Sequence, residues 1–379
     1  MPTEAFSPAS LRRALVIKLR HHGDVLLASP VFSALKQHAP QIEIDALVYA
    51  DTRPMLEGHP AIAELHGIDR GWKRLGLFAR FAAERALLAR LRERRYDLIV
   101  HLTEHPRGAW LARLLGARYA VAPAAAGNKK SWRRSFTHRV AQPANARRHS
   151  VERNLDALRR IGLQPDADGR RLTLVAGAAA EARVAALLAP HALVGGDFIH
   201  FHPASRWRFK CWSVDKNAEL LRRLHAAGHR VVVSGAPDAQ EREFLAAILA
   251  RAGTPVLDLS AQLDLKQLAA LAGRARLFVG VDSAPMHISA AMGTPVVALF
   301  GPSGELEWGP WGVAHRLVLS DAHPCRPCGL DGCGGGKVSE CLTTLPVARV
   351  LEAIDALLAL APAPSRAAAE PPAGAEHAG

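Results

Sequence analysis

The chain has 379 residues, 49% of them hydrophobic and 22% charged, a globular composition on a length that suits two cores better than one. It holds no run of about eighteen apolar residues, and residues 1–10 lack the apolar stretch of a signal peptide, so neither a membrane span nor a leader is expected and a cytoplasmic protein is. Lys and Arg outnumber Asp and Glu by 48 to 35, a formal net charge of +13, which favours anionic partners: nucleotides, nucleic acid or a phosphate-rich membrane surface. No aromatic-interleaved basic motif accompanies the charge, and much of the Arg excess, as over 80–95, suits the solvated faces of helices.

The predicted elements alternate from the start. Residues 14–19 (ALVIKL) read as a buried strand, followed by a Gly23-Asp24 turn and a helix over 25–38 that Pro30 bends or delays. This is how a Rossmann-like domain begins, yet the G-x-G-x-x-G fingerprint is absent, which counts against a nicotinamide or flavin enzyme. Gly23 lets backbone approach a ligand; Asp24 is either a helix cap or a carboxylate at a site. Next come a strand over 42–49, a short helix over 51–58, a strand over 61–68, and a long helix over 78–95 with Phe78, Phe81, Leu88 and Leu91 as its apolar positions. A strand over 97–102, a helix over 106–115 and a strand over 118–122 continue the pattern. Residues 124–148 break it with seven cations (Lys129, Lys130, Arg133, Arg134, Arg139, Arg147, Arg148), which suit either a solvated loop or a contact with a phosphorylated acceptor. A helix over 150–161 and a linker over 162–171 follow.

The alternation then restarts with a helix over 178–188, a strand over 197–202, a helix over 214–227, a strand over 230–234, a helix over 239–251, a strand over 255–259 and a helix over 265–273. The loop after the strand at 197–202 reads HPASRWRFKCW. Ser205 and Lys210 there are a hydroxyl and an ammonium able to neutralise a diphosphate without a metal, the alternative being a surface loop. Residues 277–302 read LFVGVDSAPMHISAAMGTPVVALFGP and parse as strand (277–281), turn, helix and strand (296–300). Asp282 or Ser283 can cap that helix, Pro285 suits its first turn, and Gly293 fits the left-handed residue past its end. A right-handed crossover places this turn at the carboxyl edge of a parallel sheet, where free N–H groups favour phosphate and Asp282 and His287 offer polar partners for a sugar. An amphipathic helix over 347–360 and a Pro- and Ala-rich tail from 361 that is expected to be disordered close the chain.

In order and spacing, the Gly23-Asp24 turn, the HPASRWRFKCW loop and VGVDSAPMHISAAMGTPVVALFGP resemble the ADP-heptose:lipopolysaccharide heptosyltransferases, over roughly 15–360. The resemblance implies an α/β protein of GT-B fold, two Rossmann-like domains facing a central cleft. It further implies an acceptor-binding domain at 11–175, an ADP-sugar domain at 176–345, a last helix at 346–361 returning to the first domain, and the tail at 362–379. The implied activity is inverting transfer of L-glycero-D-manno-heptose from ADP-heptose to the lipopolysaccharide inner core. No cofactor is required, nucleic acid is not a partner, and the enzyme sits peripherally at the cytoplasmic face of an anionic inner membrane. Asp24 matches the general base; Lys210 matches the lysine on the donor phosphates, with Ser205 beside it. Asp282 matches the carboxylate that binds the donor sugar, and Ser283, Ala284, Met286 and His287 line the turn near the diphosphate. Glu241 or Asp238 is the candidate for the adenosine ribose. HPASRWRFK departs from the heptosyltransferase I pattern, and with the cysteine-bearing segment below it resembles the heptosyltransferase III branch, which adds a side-branch heptose. The alternatives are the heptosyltransferase I or II step, another nucleotide sugar on the same fold, or a non-catalytic basic protein binding nucleic acid or membrane.

Cys325, Cys328, Cys333 and Cys341 include one C-x-x-C pair, and the four offer either a structural zinc set or reduced thiols in a Gly-rich loop. A disulfide framework does not suit a cytoplasmic enzyme.

Overall fold

The computed structural model describes residues 7–124, 130–141 and 147–360. The first half carries β1 (Arg13–Lys18), α1 (His22–Leu26), α2 (Ser29–His38), β2 (Glu43–Tyr49), β3 (Glu64–Ile68), α3 (Leu77–Glu93), β4 (Leu98–His101), α4 (Pro106–Leu115), β5 (Tyr119–Ala124), α5 (Lys130–Arg133), β6 (His138–Ala141) and α6 (Ser150–Arg159). The second carries α7 (Ala178–Leu188), β7 (Phe198–His202), α8 (Val214–Ala226), β8 (Arg230–Val233), α9 (Ala239–Ala252), β9 (Leu257–Asp258), α10 (Leu265–Arg274), β10 (Leu277–Val281), α11 (Ala284–Ala291), β11 (Val296–Leu299), α12 (Glu305–Trp308), β12 (His315–Val318), α13 (Glu340–Thr343) and α14 (Val347–Leu360).

The strands form two six-stranded sheets, ordered β3-β2-β1-β4-β5-β6 and β12-β11-β10-β7-β8-β9. Every ladder is parallel. Read from β9, the second order repeats the first, so each half is a Rossmann-like sheet that reverses direction once, between β1 and β4 and between β7 and β10. Helices cover both faces of such a sheet, which is why β4, β7, β10 and β11 are buried along their whole length, β10 and β11 as unbroken apolar runs and β4 and β7 with buried histidines among their apolar residues.

Local signals place the helix ends. Pro30 sits in the first turn of α2 and separates it from α1, as its ring requires. Asp264 and Gln267 close a reciprocal cap at the start of α10, and Gly293, at φ 81°, is the left-handed residue that ends α11. The helix expected at 51–58 is instead a 3-10 turn, Ala50–Met55, with Pro54 inside it. The short elements β6, α12, β12 and α13 were not anticipated.

Two expectations fail. On α3, Leu87 and Leu91 are buried, but Phe78 and Phe81 point to solvent, because the first half of the helix extends past the sheet it packs on. And α14 does not return to the first half: Val350, Ile354 and Leu357 share an apolar cluster with β7, β8 and β10, and the helix lies against β10, β11, β12 and α8. Its apolar stripe is buried on the sheet nearest in sequence. The seven-cation segment is divided: Lys130 and Arg133 belong to α5 and Arg139 to β6, while Arg148 pairs with Glu152 and Asp156. Lys129 and the tail from 361 lie outside the described residues. No described helix is long and apolar enough to cross a membrane.

Five buried imidazoles set a pH dependence. Burial lowers His59, His202 and His287 to about 4, and His101 and His200 to about 3. In the unfolded chain these rings take protons below about 6.5, so between that value and about 4 the unfolded state binds more protons than the folded one. Stability is therefore complete above pH 6.5 and falls as pH drops toward 4. The urea midpoint is expected to decrease steadily across that window; a flat midpoint from pH 7 to 4.5 would mean the rings titrate normally.

Candidate active site at the paired sheet edges

The two reversals of strand order bring the sequence-predicted residues together. In the first half, β1 exits through Arg20 and His21 into α1, whose first turn holds Asp24, and β4 exits through Thr103 and Glu104. These residues line a cavity of about 380 Å³ together with Lys18, Arg153, Asn154 and, from the second half, Trp308. Asp24 makes no capping hydrogen bond, since His21 occupies the N-cap position, so its carboxylate is left to face the cavity.

Sequence reasoning missed Lys18, Arg153, Asn154 and Trp308. Lys18 Nζ donates to Asn154 Oδ1 (2.9 Å) and to the Leu102 carbonyl (3.3 Å), and Asn154 Nδ2 donates to the Leu27 carbonyl (2.9 Å). Burial lowers the Lys18 pKa to about 8 against the opposing pull of Asp24. The signal was present: Lys18 is the one charge in the apolar run at 14–19, and Asn154 lies on the buried side of α6. Trp308 had none, because α12 is a single turn.

In the second half, β7 exits through Ser205 to Lys210 and β10 through Asp282 into α11. Lys210 Nζ and Asp282 Oδ2 lie 2.5 Å apart, Asp282 being 5% exposed, so the two residues assigned separately to phosphate and sugar form one ion pair across the reversal. Ala284 opens α11, with Ser283 as its N-cap; Ser283 Oγ donates to the Val281 carbonyl (3.2 Å), Pro285 has no N–H and the Met286 amide donates to the Ser283 carbonyl (3.2 Å), so the Ala284 amide is what the first turn leaves to a ligand among the described residues.

Other assignments change. The Met286 side chain is wholly buried among Phe278, Val296 and Phe300 and does not reach the turn. Ser205 is buried, and its hydroxyl accepts the Trp207 amide (3.3 Å), which shapes the loop. Asp238 caps α9 through the amides of Gln240 and Glu241. Glu241 is buried, its carboxyl raised by burial, and accepts the Ala236 amide (3.2 Å), so both acidic residues brace the loop after β8.

The halves meet at the site itself. A Cβ on Gly23 would lie 2.8 Å from Cδ2 of His287, so the ring of α11 occupies the space a side chain on α1 would need. His287 is buried and neutral, with Nδ1 unpartnered. Nearby, His149 stacks on Trp311 (4.5 Å) and bonds the Gly309 carbonyl (3.0 Å), and Trp311 Nε1 donates to the Arg170 carbonyl (2.8 Å).

Cys325, Cys328 and Cys333 are exposed and Cys341 is buried; no three of these thiols gather within 4.8 Å. The group of possible metal ligands among the described residues is Asp45, Glu64 and His66, on β2 and β3. Asp45 there accepts from Arg94 Nε (2.6 Å) and Tyr96 Oη (2.7 Å); burial works to raise its pKa, and hydrogen bonds from His66, Arg94 and Tyr96 outweigh it and hold it at about 2. That set is a satisfied ion-pair network.

The profile of Glycosyltransferase family 9 (heptosyltransferase) matches residues 84–338. The chain is 36% identical to lipopolysaccharide heptosyltransferase 3 of Escherichia coli over 90% of its own length and 97% of the relative's. Among solved structures it is similar to a glycosyl transferase family 9 protein of Veillonella parvula (TM-score 0.79, 22% identity, covering 93% of this chain and 100% of that one). It is also similar to E. coli ADP-heptose heptosyltransferase II (TM-score 0.72, 23% identity, 92% and 99%), which places the fold as GT-B.

Replacing Gly23 by Ala is expected to lower stability by about 1–3 kcal/mol, the usual cost of overpacking. Combined with His287→Ala, the loss should be smaller than the sum of the single losses, because the overlap is gone. Strictly additive losses in chemical denaturation would dismiss the contact.

Proposed function

The chain belongs to glycosyltransferase family 9 and is a heptosyltransferase of lipopolysaccharide core assembly, and on that premise we propose that it transfers L-glycero-D-manno-heptose from ADP-heptose to the heptose region of the inner core, with inversion. Family membership sets aside a non-catalytic basic protein. The 36% identity to a heptosyltransferase 3, against 27% and 26% to heptosyltransferases 1 and 2, favours the side-branch step.

The observation that carries this reading is that Asp24 from one sheet edge and the Asp282–Lys210 pair from the other both act electrostatically on the His287 ring, which abuts Gly23 where the two halves meet. Asp24 takes the proton of the acceptor hydroxyl as its oxygen attacks the anomeric carbon. The bond to ADP breaks with its electron pair on the diphosphate, where Lys210 and the Ala284 amide at the start of α11 meet the charge. Asp282 holds Lys210 in place and faces the sugar. Lys18, Arg20 and Arg153 give the acceptor cavity a basic wall that suits a phosphorylated core. In this reading the chain's own cations serve where other transferases use a metal, and the enzyme works at the cytoplasmic face of the inner membrane, where its lipid-linked acceptor is.

Asp24→Ala is expected to reduce transfer by at least about a hundredfold with ADP affinity retained in calorimetry. Equal loss of both would make Asp24 structural. Lys210→Ala should weaken ADP binding and turnover together. Transfer is expected to persist at full rate after exhaustive chelation with EDTA, and abolition restored by a divalent ion would overturn the metal-independent route. Mass spectrometry of truncated cores carrying zero, one or two heptoses should show one added heptose only on the two-heptose core; addition to a shorter core would keep the chemistry and move the step.

A further inference from the structure

The first half of α3 stands away from the body. Leu77, Phe78 and Phe81 are 84%, 92% and 69% exposed, all on one side of the helix, and Trp110 of α4 is 70% exposed. Beneath this overhang is a cavity of about 620 Å³ whose walls include Tyr49, Trp72, Leu77, Phe81, Leu88 and Trp110. An apolar surface of this extent, open to water, is characteristic of an interaction site. Its rim has an excess of cations: Lys73, Arg80 and Arg85 line it, Arg74 follows Lys73, and all four are exposed and make no ion pair among the described residues, while Asp69, which also lines it, accepts the Gly71 amide (2.7 Å). The acidic Glu84 is already taken by Arg107.

The position is informative as well. Tyr49 and Ile68 end β2 and β3, so the overhang lies at the same carboxyl edge as the Asp24 turn, and Arg70 Nη2 donates to the Arg20 carbonyl (3.0 Å), tying the two regions.

We propose that this overhang, Leu77, Phe78 and Phe81 with Trp110 and their cationic rim, docks the enzyme on a bilayer containing anionic lipid. The aromatic and aliphatic side chains enter the boundary between headgroups and acyl chains, and the four cations meet lipid phosphates. The inference rests on the reading that the acceptor is lipid-linked. Docking through this edge turns the cavity at Asp24 toward the membrane surface from which such an acceptor projects. A protein partner is the less fitting occupant, because an excess of unpaired cations around apolar side chains matches a lipid surface without any shape complement.

The test is flotation of the full chain with vesicles of phosphatidylglycerol and phosphatidylcholine in equal parts, and with phosphatidylcholine alone. Binding to the anionic vesicles, weakened by added salt, is expected. F78E/F81E should lower that affinity at least about tenfold, and F78A/F81A, which adds no charge, should lower it as well. Both variants change exposed positions, and both should match the unaltered chain in transfer to a deacylated core saccharide in solution. The proposal is overturned if the unaltered chain ignores anionic vesicles, or if the variants keep its affinity. It is also overturned if sedimentation shows a dimer that F78E/F81E dissociates, which would make the face a contact between copies. Absence of transfer to the deacylated core by the unaltered chain would overturn the catalytic reading and leave the vesicle result standing.

Discussion

The close approach of Gly23 to His287 is the constraint on which the site depends. Each Rossmann-like half opens a crevice where its strand order reverses, and an open crevice on one domain binds one ligand. Two-substrate chemistry needs the crevices to face each other at bonding distance. A side chain at position 23 would hold α1 and α11 apart, and a charged ring at 287 would have to be buried. Glycine removes the first obstacle. Burial removes the second by keeping His287 neutral down to about pH 4, although Asp282 and Asp24 both pull in the opposite sense.

Around that contact the electrostatics divide between the halves. The first sheet supplies a carboxylate beside a buried lysine; the second supplies an ion pair beside a helix N-terminus. Lys18 is held by neutral partners, Asn154 and a carbonyl, so its charge is free to act on Asp24 and on whatever enters the cavity. Lys210 is in contrast held by Asp282. The pair thus fixes a cation at the sheet reversal without leaving it bare in a partly buried position, where an unpaired charge is costly.

The outer parts of the molecule follow a different rule. α14 packs on the sheet that precedes it in sequence, since its apolar stripe finds cover there, and the two halves are joined through α10, α12 and the Trp311 turn. α3 overshoots its sheet and leaves aromatic side chains in water. The same Phe78 and Phe81 that sequence periodicity lists as the apolar positions of the helix are therefore exposed.

Periodicity and turn chemistry determined most of the architecture on their own. Runs of mostly apolar residues marked β1, β4, β7, β10 and β11, Pro30 and Gly293 marked helix ends, and the turns at Asp24, Lys210 and Asp282 stood out because polar residues at strand exits have few structural reasons to be there. Short elements such as α12, β12 and β6 escaped, since four residues carry too little periodicity to be read. Which way a side chain points was decided only by packing. Met286 turned into the core and Glu241 into its own loop, while Lys18, Asn154 and Trp308 came to the cleft from distant segments, 136 residues apart in the Lys18–Asn154 pair. Sequence spacing carries the local period of a strand or helix, but contacts between distant segments depend on the volume left when both sheets have closed on their helices, and that is a property of the assembled chain.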